Sequence, residues 1–341
     1  MFEDFSLASN FGIFAAAAAA VWIAGTRIAR YADSIAEKTG IGRELLGILL
    51  LGGVTSLPEM AVASTASLAG HPALSVNDLL GSAAINVVII ALADAAIGRD
   101  AITSVLASPG VLLQGVLGIL LLALVVGATM SIDVPLFGAS AWTWLLLCAY
   151  GCSVWVIAKS HSQRAWKPVG RVHEQSSPAA ADQHDPLGKL AGKTTVAAAV
   201  VLAAGFFLAK TGEAIAEQTG LGTSFVGAVL LAASTSLPEL STVLAAVRLK
   251  RYEMAVADVF GTNLFNVTIL FAVDLLYDGP PVLREVGPFA GFGALLAIVL
   301  TSLYLVGMLE RRDRTVARMG YDSLAVLGVY FAGIVVLWTL R

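Results

Sequence analysis

The chain consists mainly of long apolar runs that carry almost no charge. Only 13% of its 341 residues are charged and 57% are hydrophobic, whereas soluble domains carry about 25% charged residues. A helix needs about 20 apolar residues to cross a bilayer. Ten runs come close to or exceed this length, at roughly 10–26, 44–69, 73–95, 104–127, 136–158, 192–210, 223–247, 254–276, 286–308 and 321–340. Because lipid offers no hydrogen bonds to an open backbone, the sequence predicts an all-α polytopic membrane protein with ten transmembrane helices. Neither an enzyme nor a nucleic-acid-binding protein is expected.

Lys and Arg are distributed unevenly between the two sides of these spans. If the N-terminus lies outside, the cytoplasmic loops hold all but three of the 21 basic residues, and the exceptions are Lys210, Arg284 and Arg341. The positive-inside rule therefore predicts that both termini are extracytoplasmic. No basic segment precedes the first apolar run, which is long enough to be a true span, so a cleavable signal peptide is not expected.

The two halves of the chain repeat one pattern. The sequence Thr-Ser-Leu-Pro-Glu occurs at 55–59 and again at 235–239, and matches continue in the same register as far as Asp94 and Asp274, which lie at span ends. Each half holds five spans, and this odd number makes the second half enter the membrane from the opposite side. We therefore expect two inverted-topology five-helix repeats, at 1–158 and 192–341, joined by a cytoplasmic linker at 159–191. Inverted repeats are typical of secondary transporters, which bind their substrate near the midplane.

The repeated motif places a glutamate, Glu59 or Glu239, in the middle of an apolar span without a basic neighbour. An acid at that depth is costly, about 2.5–3.5 kcal/mol for Asp on insertion scales. A proline precedes each glutamate and removes a helical hydrogen bond, which frees a backbone carbonyl. A threonine four residues before each glutamate shares its helix face. Carboxylates, hydroxyls and carbonyls are the ligands of hard cations such as Ca²⁺, so the motif predicts a cation site.

A second polar stripe follows each motif on the next span. It consists of an acid, a hydroxyl and an amide at four-residue intervals: Asp78, Ser82 and Asn86 in the first repeat, and Asp258, Thr262 and Asn266 in the second. Asp78 lies near the outer end of its span and Asp258 near the inner end. Two hypotheses are open for these aspartates. They attract cations to the two mouths of the site, or they cap helices and form ion pairs, for example between Asp258 and Arg251.

The pair of Thr-Ser-Leu-Pro-Glu motifs, each followed by Gly-Ser/Thr-x-x-x-Asn in inverted halves, resembles the sodium/calcium exchanger family in its prokaryotic ten-helix form. The resemblance covers both repeats. It implies a Na⁺-driven Ca²⁺ antiporter of a prokaryotic cytoplasmic membrane that works by alternating access, with no cofactor besides its transported ions. Glu59 and Glu239 would be the central Ca²⁺ ligands. Hydroxyls for Ca²⁺ and Na⁺ would come from Thr55, Ser56, Thr235 and Ser236. The flanking Na⁺ sites would be completed by Ser82, Thr262, Asn86 and Asn266, with carbonyls near Gly52 and Ala232.

The chain departs from the family pattern in ways that bear on the ions. Ala83 stands where the family favours Asn, while the second repeat keeps Asn263. Asn266 stands where some relatives, including the potassium-dependent branch, carry Asp, so dependence on K⁺ is not expected. The proton-coupled branch typically carries Gly-Asn-x-x-Glu instead of Thr-Ser-Leu-Pro-Glu, which favours Na⁺ over H⁺ as the driving ion.

Three other functions remain open at this point. An H⁺/Ca²⁺ antiporter, or an antiporter of another divalent cation, would use the same fold, with buried glutamates that carry protons. A passive channel would conduct without a counter-ion. An intramembrane aspartyl protease would use Asp78 and Asp258 as its dyad, but the Gly-x-Gly-Asp motif of that class is absent here, and the paired glutamates would have no role.

Overall fold

The computed structural model describes residues 2, 5–97, 102–105, 108–160, 185–219, 232–310, 315–316 and 319–340. The first half contains α1 (Leu7–Thr39), α2 (Arg43–Leu46), a π-helical segment (Gly47–Gly52), α3 (Gly53–Thr55), α4 (Leu57–Leu68), α5 (Pro72–Ile97), α6 (Ile102–Val105), α7 (Pro109–Met130), the strands β1 (Pro135–Leu136) and β2 (Ala139–Ser140), and α8 (Ala141–Ser160). The second half contains α9 (Leu187–Gln218), α10 (Ala232–Thr235), α11 (Leu237–Arg248), α12 (Tyr252–Leu276), α13 (Val282–Glu285), α14 (Gly287–Glu310), the strands β3 (Thr315–Val316) and β4 (Met319–Gly320), and α15 (Tyr321–Thr339). Each pair of strands forms a short antiparallel hairpin.

The two halves have the same order of elements. The starts of α5 and α12, of β1 and β3, and of α8 and α15 each lie 180 residues apart. Eight described helices are long and apolar enough to cross a membrane, and the bent helix that contains the first motif makes a ninth span. The predicted class, an all-α polytopic membrane protein, is thereby confirmed. Residues 220–231, which include the start of the predicted span 223–247, lie outside the described residues, as do residues 161–184 of the predicted linker.

The first helix extends well beyond the apolar run 10–26. It continues to Thr39 and ends at Gly40, whose φ of 71° is left-handed, as is common at helix C-termini. The segment after the apolar run is amphipathic, because Ile28 and Ala32 are buried while Arg27 is exposed. Packing against the rest of the protein therefore keeps the segment helical where its composition no longer suits lipid.

Both broken helices are interrupted at the serine of the repeated motif. In the first half the chain passes through the π-helical segment and then bends by 47° before α4. Pro58 and Pro238 lie in the first turns of α4 and α11. The missing N–H there removes no helical hydrogen bond, so the expectation that each proline frees a carbonyl by removing such a bond is wrong. Single-turn π segments are frequent at functional sites. The breaks also leave Glu59 and Glu239 in the first turns of the following helices, the end of a helix that stabilises negative charge.

The first broken helix crosses α12 at very short range because glycines line the crossing. A Cβ on Gly52 would lie 2.8 Å from the amide nitrogen of Thr262, and a Cβ on Gly261 would lie 2.6 Å from Cα of Ile48. Small residues permit such close approach between helices in membranes. The crossing therefore brings the motif of one repeat against the polar stripe of the other.

Two buried aspartates connect the halves at the ends of α5 and α12. Asp94 accepts a hydrogen bond from the first backbone amide of α6 (2.7 Å) and another from the amide of Gly320 (2.7 Å), at the start of α15. Asp274 accepts the equivalent bonds from the first amide of α13 (2.8 Å) and from the amide of Ser140 (2.5 Å), at the start of α8. Each aspartate at a span end thus anchors a helix of the other repeat.

We expect Asp274→Asn to lower the melting temperature of the purified protein in detergent. Asp274 uses both carboxylate oxygens as acceptors, whereas an amide offers one, and hydrogen bonds to a charged group contribute about 1.5–3 kcal/mol each. Asp278→Asn, at an exposed position four residues later, is the control and is expected to melt like the wild type. Equal melting temperatures for the two variants would show that Asp274 does not hold the halves together.

Candidate ion-binding site

Glu59 and Glu239 lie in the interior without a partner. Both side chains are 0% exposed, and no described residue donates a hydrogen bond to either carboxylate. Neither forms an ion pair with a Lys or Arg in the described ranges. The two carboxylates are close enough to interact electrostatically with each other. Because an unpaired buried charge is among the most costly arrangements in a protein, the two carboxylates need a bound cation or a proton to neutralise them.

The hydroxyls predicted for the site meet across the two repeats. Oγ1 of Thr55 lies 3.2 Å from Oγ1 of Thr262, and Oγ of Ser82 lies 3.5 Å from Oγ1 of Thr235. All four side chains are 0% exposed. Each contact joins the broken helix of one repeat to the long helix of the other, so the structure brings these predicted residues together.

The carbonyls expected near Gly52 and Ala232 lie at the two helix breaks. The Gly52 carbonyl accepts a hydrogen bond from Oγ of Ser56 (2.8 Å), and the Ala232 carbonyl accepts one from Oγ1 of Thr235 (3.2 Å). Ser236, the counterpart of Ser56, is buried, and its hydroxyl has no hydrogen-bond partner among the described residues. The oxygens at the two breaks therefore match in position but differ in bonding.

Asn86 and Asn266 occupy equivalent positions in different surroundings. Nδ2 of Asn86 donates a hydrogen bond to Oδ1 of Asn263 (3.0 Å), and Nδ2 of Asn263 donates one to the carbonyl of Ala83 (3.0 Å). Ala83 is the first-repeat counterpart of Asn263 and has no amide side chain. Consequently neither amide atom of Asn266 has a partner in the described part of the chain. The departure at Ala83 thus makes the two ends of the site unequal.

We expect Asn266→Asp to change the ion coupling of transport rather than to abolish transport. The variant adds a carboxylate at a buried position on the same helix face as Thr262, and a buried charge requires a compensating cation. The measurement is the dependence of Ca²⁺ flux on Na⁺ and on K⁺ in proteoliposomes. If neither dependence changes, Asn266 does not lie in the ion path.

Asp78 and Asp258 do not lie at open mouths of the site in this structure, and the hypothesis that they attract cations to the two mouths stays a prediction. Both side chains are 0% exposed. The carboxylate of Asp78 is close enough to Glu59, and that of Asp258 to Glu239, for the pairs to interact electrostatically. The physical reason is that α5 and α12 run through the centre of the molecule, where neighbouring helices cover the polar stripes along their whole length.

Arg251 takes part in a buried ion cluster that the sequence did not predict. Asp33 of α1 accepts hydrogen bonds from Nε of Arg43 and Nε of Arg251, both at 2.7 Å. The alternative pairing of Arg251 with Asp258 is therefore not the one that forms. The cluster joins α1 to the start of the first broken helix and to the start of α12. The available signal was weak, because Asp33 is one of two acids, with Glu37, in the segment 27–43, which also carries four basic residues.

The site offers oxygen ligands from several residue types. In the described ranges no three His, Cys, Asp or Glu side chains converge on one point. A bound ion would therefore contact at most two carboxylates and complete its coordination with hydroxyls, amides and carbonyls. Ligands of this kind suit hard cations.

The chain resembles known ion exchangers in sequence and in fold. A family model described as sodium/calcium exchanger protein matches residues 9–159 and 190–339. The putative antiporter CaxA of Alkalimonas amylolytica is 24% identical over 314 residues, which cover 89% of this chain and 94% of CaxA. The sodium/calcium exchanger MaX1 of Methanosarcina acetivorans is 28% identical over 136 residues, or 39% of this chain and 38% of MaX1. A solved structure of the sodium-calcium exchanger NCX_Mj aligns with a TM-score of 0.71 at 16% identity, over 97% of this chain and 99% of that one, which shows a shared fold.

Proposed function

The chain belongs to the sodium/calcium exchanger family, and from that premise we propose that it is a secondary antiporter that exchanges Na⁺ for Ca²⁺ across the membrane. The observation that carries the proposal is the pair of fully buried, unpartnered carboxylates of Glu59 and Glu239. In the proposed cycle the two carboxylates are neutralised alternately by Ca²⁺ and by Na⁺. Because the family consists of transporters, the aspartyl protease hypothesis for Asp78 and Asp258 is wrong.

In this proposal Ca²⁺ and Na⁺ compete for one set of oxygens near the midplane. Ca²⁺ takes about six to eight oxygens in a flexible cage, and the two glutamates supply its countercharge. The cross-repeat hydroxyl pairs supply further ligands, from Thr55 with Thr262 and from Ser82 with Thr235. Because both ions use the same glutamates, Na⁺ that enters from one side displaces Ca²⁺ before the site opens to the other side.

We further propose that the pair α1 and α9 controls access to the site. The two helices pack along each other, α1 against α11 and α9 against α4. The contacts are closest beside the helix breaks, where a Cβ on Gly205 would lie 2.4 Å from Cγ of Pro58 and a Cβ on Gly25 would lie 1.8 Å from Oγ of Ser241. Small sliding of packed helices against each other is a known kind of conformational change. Sliding of the pair would expose the site alternately to the cytoplasm and to the extracytoplasmic side, where we propose that both termini lie.

The experiment that tests this function is Ca²⁺ uptake into proteoliposomes, with the Na⁺, K⁺ and H⁺ gradients varied one at a time. We expect uptake to follow an outward Na⁺ gradient at equal pH on both sides and to proceed without K⁺. Uptake driven by a pH gradient alone would favour H⁺/Ca²⁺ antiport instead. A steady Ca²⁺ current without any counter-ion would indicate a channel. Protein-free liposomes provide the background.

A further inference from the structure

We propose that the groove between α1 and α9 binds one anionic phospholipid. Its phosphate would lie against Arg27, Lys189 and Lys193, and an acyl chain would follow the apolar remainder of the groove. None of the residues that line this groove belongs to the candidate ion site. The inference therefore goes beyond the proposed antiport function and does not depend on it.

The two helices lie side by side and run antiparallel. Near one end of the pair, Nδ2 of Asn10 donates a hydrogen bond to Oε1 of Gln218 (3.3 Å). Near the other end, Nζ of Lys193 lies 5.4 Å from the centre of the Tyr31 ring. Toward this second end a cavity of about 810 Å³ separates the helices. Its lining residues recur at intervals of three and four on each helix, so each helix contributes one face to the groove.

The groove is basic at one end and apolar along the rest. The basic end is formed by Arg27, Tyr31, Lys189 and Lys193. The apolar part includes the exposed side chains of Ile23, Val196 and Val200. Because these side chains are exposed, the groove opens to the surroundings of the helices, which in a membrane are lipid.

The length of the groove matches one leaflet of a bilayer. On α9 it runs from Lys189 to Val200, which is about 16 Å at 1.5 Å per residue. The hydrocarbon core of a bilayer is about 30 Å thick. An acyl chain that starts at the basic end would therefore fill the groove within its own leaflet.

The basic end lies at a membrane boundary. The candidate span Leu187–Gly212 begins just before Lys189, and Arg27 directly follows the apolar run 10–26 of α1. Lys and Arg side chains near span ends extend toward the headgroups. The distribution of Lys and Arg predicts that this boundary is cytoplasmic, and basic pockets between helices on that side suit anionic headgroups.

Positive charge is in excess at this end of the groove. Asp185 accepts hydrogen bonds from Nζ of Lys189 (2.8 Å) and from Nζ of Lys193 (2.6 Å), so one carboxylate serves two lysines. Arg27 is exposed and forms no ion pair in the described ranges. A phosphodiester supplies a negative charge and accepts charge-assisted hydrogen bonds. A zwitterionic headgroup brings a positive charge of its own to the same place, so the groove favours an anionic lipid.

Native mass spectrometry of the purified full chain in detergent measures this preference, with phosphatidylglycerol or phosphatidylcholine added. We expect phosphatidylglycerol to bind at least about tenfold more tightly, since each basic residue near an anionic headgroup contributes about fivefold. Equal affinities for the two lipids would overturn the proposal.

Arg27→Gln and Lys189→Gln locate the headgroup. Each is expected to weaken phosphatidylglycerol binding by about fivefold and to leave phosphatidylcholine binding unchanged. Lys159→Gln is the control, because it removes the same charge from an exposed position in the last turn of α8, and it is expected to bind like the wild type. An equal loss in all three variants would show a general attraction to basic span ends and would overturn the groove as the site.

Gly192→Leu tests the path of the acyl chain without a change of charge. A Cβ on Gly192 would have no atom within 4 Å, so leucine fits the fold and occupies the groove. We expect phosphatidylglycerol affinity to fall by about tenfold, as displacement of two methylene groups from apolar contact would cause. Gly151→Leu is the control, since a Cβ on Gly151 also has no atom within 4 Å and this glycine does not line the groove. Unchanged affinity in Gly192→Leu would overturn the placement of the chain.

Inorganic phosphate separates a lipid site from a site for free anions. Phosphate is expected not to displace phosphatidylglycerol at equal concentration, because it lacks the acyl chain that the groove accommodates. Displacement at equal concentration would overturn the assignment to a lipid. All of these measurements are made without an ion gradient, so failure of the lipid site and failure of the antiport proposal remain distinguishable.

Discussion

Glu59→Gln and Glu239→Gln are each expected to lower Na⁺-dependent Ca²⁺ flux by at least about a hundredfold, since loss of one partner of a buried charge pair costs about 3–5 kcal/mol. The amide keeps the shape of the side chain and removes the charge that the ion needs. The fold is expected to persist, because the protein already holds Gln114 fully buried and without a described hydrogen-bond partner for its amide.

Flux into proteoliposomes at saturating Ca²⁺ checks this expectation, with size-exclusion profiles and melting temperatures to show that each variant is folded. Glu217→Gln, at an exposed position on α9, is the matched control and is expected to transport like the wild type. Near-normal flux in either Glu59→Gln or Glu239→Gln would refute the assignment of that glutamate to the central site.

Gly52→Ala is expected to destabilise the protein and to abolish transport. The added Cβ would lie 2.8 Å from the amide nitrogen of Thr262 and 3.0 Å from the carbonyl carbon of Gly261. Both are backbone atoms of α12 that cannot rotate away, so the broken helix must move off its partner. Overpacking of this kind typically costs about 1–3 kcal/mol, and the shift also separates Thr55 from Thr262, whose hydroxyls are 3.2 Å apart.

The neighbouring glycine provides a close control. A Cβ on Gly53 would have no atom within 4 Å, so Gly53→Ala tests the same loss of backbone freedom without the clash. We expect Gly53→Ala to melt and transport like the wild type. If Gly52→Ala behaves in the same way as Gly53→Ala, the close crossing with α12 is not needed for the site.

The membrane fold and the centre of the site were predictable because they leave local signals. Apolar runs of span length define the helices, and the repeated proline and glutamate mark the helix breaks. Thr55 and Thr262 lie in different repeats, and their contact has a symmetry counterpart between Thr235 and Ser82. The aligned motifs indicated which residues are equivalent, whereas the contacts between the repeats came from the structure.

The parts that sequence reasoning missed depend on which helices become neighbours. Position along a span placed Asp78 and Asp258 near its ends, but their burial depends on the helices that cover α5 and α12. The hydrogen bond between Asn86 and Asn263 and the ion cluster at Asp33 join elements that are far apart in the chain. No local sequence pattern distinguishes these residues from other polar residues, because the role of each depends on the distant residue that it contacts in the fold.

Direct binding of radioactive Ca²⁺ to the purified protein tests the central claim most simply. The claim is that Glu59 and Glu239 together hold the transported cation. We expect the wild type to bind Ca²⁺ and to release it as Na⁺ is added, and we expect the double variant Glu59→Gln, Glu239→Gln to be folded and to bind none. Ca²⁺ binding by the folded double variant with wild-type affinity, still displaced by Na⁺, would contradict the account.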